Sequence, residues 1–385
     1  MEKNKPGKCH LCGAMELRIS QKYSALARVT SDCKPWQSGG TLARCGKCGH
    51  VQTVVNRRWR EECNAIYREY TIYFQSGGSE QHVFNPATGQ GGARSDKIVA
   101  ELKAHVALAE NGRLLDIGCG NGSFLRACSA ALPGWRLFGT EFDEKYKAQV
   151  MAIPGVGGMF AVDVSKVPGQ FDLISLVHVF EHIPAPLKLL RKVLRKLKPG
   201  GLLLVEVPDC ECNPFMLTVA DHCSHFATNG LAEIIGSAGF EPVVATNQWV
   251  AKEITVVGRK PLRSRPVRVP LLPEEETQRI FAHVEWLDKV ARQVQRLGRE
   301  DNFGIFGTSI AANWLHAQTG GVEKFFVDEE VWRQGKMMLE RPILAPAAVP
   351  EGSAVYVALP AQLARKIARR LSRPGVRYIV PPPVS

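Results

Sequence analysis

No stretch of this 385-residue chain approaches the roughly 18 consecutive apolar residues that a bilayer-spanning helix needs. The opening MEKNKPGKCHLCG carries charge with no apolar segment behind it, so neither secretion nor membrane insertion is expected. Tandem repeats and low-complexity tracts are also missing, which excludes a solenoid and argues against long disorder. The eleven cysteines lack the even spacing of a disulfide framework and fit a reducing, cytoplasmic compartment. An acidic excess is absent too: 49 basic residues face 37 acidic ones, for a formal charge of +12. That balance concentrates anionic partners near the surface without choosing among a nucleotide-linked metabolite, RNA and phospholipid. Much of it lies in two short runs, RRWR at 57–60 and RKPLRSRPVR at 259–268, which also read as solvated surface and linker.

What is present is a globular chain, 45% hydrophobic and 22% charged, long enough for two or three domains. Three segments are expected. Residues 1–75 hold Cys9, Cys12, Cys33, Cys45, Cys48 and Cys63, show no long helical period, and read as a small metal-stapled unit. Residues 76–260 alternate apolar strands (RLLDIG, RLFGTEF, FDLISLVHVF, GLLLVEVP) with amphipathic stretches, the pattern of a parallel α/β sheet. A Pro- and Arg-rich linker at 259–273 separates these from residues 261–385. That last segment opens on a long helix with Ile280, Val284, Leu287, Val290 and Val294 on one face. NFGIFGTSIAANWL, FFVDEE and AVYVALP then suggest a second, smaller α/β domain.

The chemistry starts at LLDIGCGNG, residues 114–122. Here an acid closes a strand, and Gly118, Gly120 and Gly122 lead into a helix near Ser123. Glycine at these places allows a sharp bend and a close approach to a ligand. A ligand-free turn or a dinucleotide site has the same local signature. The next strand ends in Glu141, about twenty residues on, where a carboxylate can accept hydrogen bonds from two ribose hydroxyls. AVDVSKV supplies Asp163, placed to accept the exocyclic amine of adenine, and FDLISLVHVF runs into Phe180, Glu181 and His182 before LKPGG and the strand LLLVEVP.

In this order the segments resemble the class I S-adenosylmethionine (SAM)-dependent methyltransferases over roughly residues 95–258. The resemblance implies an α/β Rossmann-like domain with SAM as cofactor. Asp116, Gly118, Gly120 and Gly122 would lie along the methionine end, Glu141 at the ribose, and Asp163 with Val164 beside adenine. His178, at the end of the fourth strand, either faces the cofactor or is a core histidine satisfied by backbone.

Cys9-x-x-Cys12 and Cys45-x-x-Cys48 are two knuckles, each followed by glycine. Four thiolates at these spacings close a tetrahedral Zn²⁺ site that leaves no position for substrate, so this metal is architectural. A single pair would also suit a redox dithiol; two matching pairs argue for zinc. Cys33 and Cys63 have no such partner, and His10 and His50 stand beside ligands without being expected as ligands.

Acid–base candidates come from YREYTIYFQSGGS, with Tyr67, Tyr70 and Tyr73, and from ADHCSHFATNGL, with Asp221, His222 and His225. His182 joins them from the turn after the fourth strand. With these residues the layout resembles the three-domain, zinc-containing sugar C-methyltransferases acting on nucleotide-linked keto-deoxysugars. The resemblance implies acid–base roles for Tyr73, Asp221 and His222, with His222, oriented by Asp221, or Tyr73 removing a proton next to a keto group. The chain departs from that pattern with Asp221 in place of Glu, Val219 in place of a tyrosine, and Ser309 in a usually Gly-rich stretch. Those departures keep open an O- or N-methyltransferase of another small metabolite or polysaccharide precursor. A zinc-ribbon RNA-binding or RNA-modifying protein is the remaining reading. Nucleic acid is disfavoured as a partner because the basic runs lack interleaved aromatics apart from Trp59. The acceptor, the methylated atom and the oligomeric state stay open.

Overall fold

The computed structural model describes all residues except 1–6, 72–79, 81, 85–90, 264 and 385, and gives 82–84 and 91 as backbone only. Its centre is a seven-stranded sheet formed by β1 (Gly112–Ile117), β2 (Trp135–Thr140), β3 (Val156–Phe160), β4 (Phe171–Val177), β5 (Leu197–Pro208), β6 (Glu241–Thr246) and β7 (Glu253–Arg259). The order is β3-β2-β1-β4-β5-β7-β6, with the first five strands parallel and β7 antiparallel to both of its neighbours. This is an α/β Rossmann-like sheet whose order reverses between β1 and β4, the place where open α/β sheets bind ligands.

The strands are near-continuous apolar runs because both faces are covered. Along β5, Leu202 and Leu204 pack on one side with Ile98, Leu102, Phe124 and Cys128. Leu203, Val205 and Val207 pack on the other side with Leu190, Val193, Leu231 and Ile234. The period-two alternation thus assigns helices Arg94–His105 and Ser123–Ala131 to one face and Pro186–Lys196 and Thr228–Ser237 to the other.

The N-terminal segment forms a small antiparallel sheet of Leu17–Ile19, Leu42–Cys45 and Val51–Thr53. Its fourth strand, Ser224–His225, comes from the central segment and pairs Ser224 with Gln52 and His225 with Val51. The expectation of no long helix here is corrected by a twelve-residue helix, Arg57–Arg68, capped by the Asn56 side chain accepting the Trp59 N–H. Its buried face contains Glu62, whose carboxylate takes a bidentate ion pair from the fully buried Arg28, both contacts being 3.0 Å.

Beyond the linker, helix Glu274–Leu297 buries Ile280, Val284, Leu287, Val290 and Val294. It leads into a six-stranded sheet that includes Phe303–Phe306, Phe325–Val327 and Ser353–Val357. Residues from both ends of the chain share one core: Tyr23, Val29 and Leu42 pack with Phe215, Trp286 and Trp314. The linker is not free of neighbours as expected, since Arg268 pairs with Glu233 and the Leu272 N–H donates to the Cys48 carbonyl at 3.0 Å. Among the described residues, no helix is long and apolar enough to cross a membrane.

Candidate methyl-donor and acid–base site

Gly118, Gly120 and Gly122 all take positive φ, at 71°, 52° and 83°. Side chains rarely adopt this region. A Cβ on Gly118 would meet Val179 Cγ2 at 2.4 Å, and one on Gly122 would meet Ile153 Cδ1 at 2.6 Å. The loop is therefore glycine-rich partly because the turn after β4 packs directly on it. Glu141 closes β2 and folds back so that the Gly120 N–H donates to Oε2 and the Phe142 N–H donates to Oε1, both at 2.7 Å. Asp116 is 2% exposed and accepts the Ser175 hydroxyl at 2.7 Å; burial pushes its carboxyl up to about 7.

Asp163 caps the turn Val164–Lys166, accepting the Ser165 N–H at 3.0 Å, and also pairs with Lys192. The Lys192 ammonium and the Ser165 hydrogen bonds hold its carboxyl well below the usual range. Val164 is buried next to it. Side by side stand a bend with glycine at its three positive-φ positions, an acid at the end of β2, and a capped turn beyond β3.

His178 takes a φ of 53°, a left-handed conformation that costs a non-glycine residue energy. Its ring is satisfied by side chains rather than by backbone. Arg94 donates to Nε2 at 2.7 Å, and Nδ1 lies 3.4 Å from Glu181 Oε1. Glu253 and Glu206 lie 3.4 and 3.8 Å from Nε2. Burial lowers the His178 pKa, and Arg94 reinforces the shift. Burial also pushes Glu206 up to about 7 and Glu253 well above the usual range. Sequence reasoning did not single out Arg94, Glu206 or Glu253. Glu206 had a signal, as the one charged residue inside the apolar run LLLVEVP.

The acid–base candidates gather one turn further on. His182 Nδ1 lies 3.1 Å from the Asp221 carbonyl, 3.4 Å from the Asp221 carboxylate and 3.2 Å from the Tyr67 hydroxyl. His222 packs edge-on against His182, with centroids 4.6 Å apart. The expected orientation of His222 by Asp221 is not the arrangement found. The Asp221 carboxylate accepts the Ser31 N–H at 2.9 Å and the Ser31 hydroxyl, and it turns toward His182. Ser31 was not picked out because its contact spans 190 positions. Burial, with His182 beside it, holds His222 far below its ordinary pKa. Burial, reinforced by His10, drives His225 down to about 3. Its ring contacts Thr53 and Cys210 rather than this pocket. Tyr73 lies outside the described residues.

Residues 93–245 match the family model of a methyltransferase domain. The chain carries a SAM-dependent methyltransferase domain. Among curated relatives, this domain is similar to the tRNA U34 carboxymethyltransferase of Desulfotalea psychrophila, at 28% identity over 29% of this chain and 38% of that protein. It is also similar to the ubiquinone biosynthesis O-methyltransferase of Bordetella bronchiseptica, at 31% identity over 23% of this chain and 39% of that one. The chain thus spans about two fifths of the length of these relatives. A solved SAM-dependent methyltransferase from Mesorhizobium loti shares 18% identity over 42% of this chain and 96% of that chain, with a TM-score of 0.35.

The four N-terminal cysteines converge outside the methyltransferase domain. Cys9 and Cys48 sulfurs are 3.7 Å apart and those of Cys12 and Cys45 are 3.6 Å apart, with all four inside 4.8 Å. Tetrahedral zinc with bonds of about 2.3 Å sets its sulfurs about 3.8 Å apart, so the four thiols fit that ion. His10 and His50 bond to each other at 3.1 Å, and His10 bonds to Ser224 at 2.9 Å, consistent with their exclusion from the ligand set.

Proposed function

We propose that the whole chain catalyses SAM-dependent methyl transfer to a small-molecule acceptor that must lose a proton. The observation that carries this reading is the position of Tyr67, His182, Asp221 and His222 next to the loop that packs on Gly118. S-adenosylmethionine, when bound, supplies an electrophilic methyl group. The chain itself does the rest. Asp116, the glycine bend, Glu141 and Asp163 with Val164 hold and orient the donor, and His178 with Arg94 walls its methionine side. The buried histidine turn keeps water from the reacting atoms.

For the acceptor we retain a nucleotide-linked keto-deoxysugar, methylated on carbon. Abstraction of a proton next to a carbonyl needs a base within hydrogen-bond reach and an orienter behind it, and His182 backed by Asp221 meets the second condition. Tyr73 and His222 remain proposed participants, and structural zinc at Cys9, Cys12, Cys45 and Cys48 is part of the same reading. Incubation with labelled SAM and a set of acceptors, followed by NMR of the product, separates a new C–CH₃ from an O–CH₃ group. A second reading, an RNA acceptor, is favoured by the tRNA-modifying name of one relative and by the +12 charge. Methyl incorporation into bulk tRNA with steep salt dependence would support it.

A further inference from the structure

We propose that Glu181, His182 and His222 form a binding site for one divalent transition-metal ion, distinct from the four-cysteine cluster. One ligand atom from each of the three side chains lies within 4.8 Å of the others. Three ligand atoms at about 2.0–2.2 Å from one ion stand about 3.3–3.8 Å from one another, so an inward shift of up to about 1 Å completes the contacts.

The carboxylate provides an independent observation. Glu181 is 1% exposed, and among the described residues neither of its oxygens finds a hydrogen-bond donor. His178 Nδ1 lies 3.4 Å from Oε1. Buried carboxylates are ordinarily saturated with donors, and an oxygen pair left open beside two imidazoles suits a cation.

The two histidines are prepared as ligands in different ways. The Asp221 carbonyl at 3.1 Å can only accept, which assigns the proton to His182 Nδ1 and leaves the Nε2 lone pair free. The Asp221 carboxylate, itself fixed by Ser31, stands behind the same nitrogen. A carboxylate behind an imidazole is the usual outer shell of a metal-bound histidine, setting both tautomer and orientation. His222 is 3% exposed and packs edge-on against His182, with ring centroids 4.6 Å apart. Two imidazoles and one carboxylate suit zinc, cobalt or ferrous iron and leave positions open, unlike a closed ring of four thiolates.

What the ion would do rests on the methyl-transfer reading, whereas the site itself does not. An acceptor keto or hydroxyl oxygen entering an open position would become more acidic, or make its neighbouring C–H more acidic. That proton leaves to solvent past the half-exposed Tyr67, His182 then serving as a ligand in place of its role as base. The electron pair released on the acceptor forms the bond to the methyl carbon, and the carbon–sulfur pair stays on sulfur.

The test is Co²⁺ titration of the full chain with its cysteine cluster zinc-loaded. The expected result is one Co²⁺ per chain with weak visible bands and no thiolate charge-transfer band. Glu181→Gln, His182→Gln and His222→Gln should each lower that affinity about tenfold or more. A variant that fails to fold is set aside by its circular dichroism, and the wild-type titration decides without it. No Co²⁺ beyond the zinc, thiolate bands alone, or undiminished binding in the folded variants overturns the site. S-adenosylhomocysteine binding measured on the same samples separates the two claims. Retained heat without Co²⁺ binding sinks the metal site alone, and absent heat sinks the methyl-transfer reading.

Discussion

At the scale of single residues, the account turns on where side chains are missing and where they are paired. Gly118→Ala would force a Cβ to 2.4 Å from Val179 at a φ of 71°. Strain of roughly 1–3 kcal/mol follows, and it falls on the turn that carries His178, Glu181 and His182. S-adenosylhomocysteine affinity should drop by about one order of magnitude in calorimetry; unchanged affinity would separate the glycine bend from the donor site. Asp221→Asn keeps the size of the side chain and removes the charge behind His182. Turnover should fall on the order of 10²–10⁴-fold with donor affinity intact, and full activity would remove Asp221 from the mechanism. The glycines, Glu141 and the histidines could be picked out from sequence because each closes or follows a readable strand. That Asp221 serves His182 could not, because the contact joins turns 39 positions apart.

At the scale of elements, helix Glu274–Leu297 was readable and helix Arg57–Arg68 was not, for the same physical reason. The first shows a clean apolar stripe. The second buries Trp59, Cys63 and Ile66 with Glu62, a charge that is tolerable only because Arg28 reaches it from 34 positions away. Glu62→Ala leaves that guanidinium buried without its main partner and should cost about 3–5 kcal/mol in denaturant unfolding. A loss below 1 kcal/mol would show that Arg28 finds water or another carboxylate.

His225 and His283 link Ser224–His225 and the long helix through Cys210. Burial holds them near about 3 and about 4, below the value of about 6.5 for an unfolded chain. The unfolded state therefore binds more protons between pH 6.5 and 4. Their neutral state supports the fold fully above 6.5, and stability falls as pH drops through that window. Denaturation midpoints measured from pH 7 to 4.5 should decline, and less steeply in His225→Gln. A flat profile would contradict the burial of neutral imidazoles.

At the scale of the whole molecule, the N-terminal unit is part of the pocket rather than an appendage. Its sheet takes Ser224–His225 as an edge strand, Trp59 Nε1 donates to the Ala220 carbonyl at 3.0 Å, and Ser31 holds Asp221. If zinc sits among Cys9, Cys12, Cys45 and Cys48, a strong chelator should raise amide exchange both in the knuckles and at 220–226. Exchange confined to the knuckles would mean that the two regions are mechanically independent. Composition and the cysteine pairs announced such a unit, yet its packing against residues of the later segments depended on Tyr23, Val29 and Leu42, which no local pattern encodes.

Isothermal calorimetry of the pure, zinc-loaded chain with S-adenosylhomocysteine, and with SAM itself, bears most directly on the whole reading. One molecule of either ligand should bind per chain with measurable heat, and the Gly118→Ala variant should bind more weakly. Silence with both ligands would contradict the assignment of residues 116–122, Glu141 and Asp163 as an adenosyl cradle.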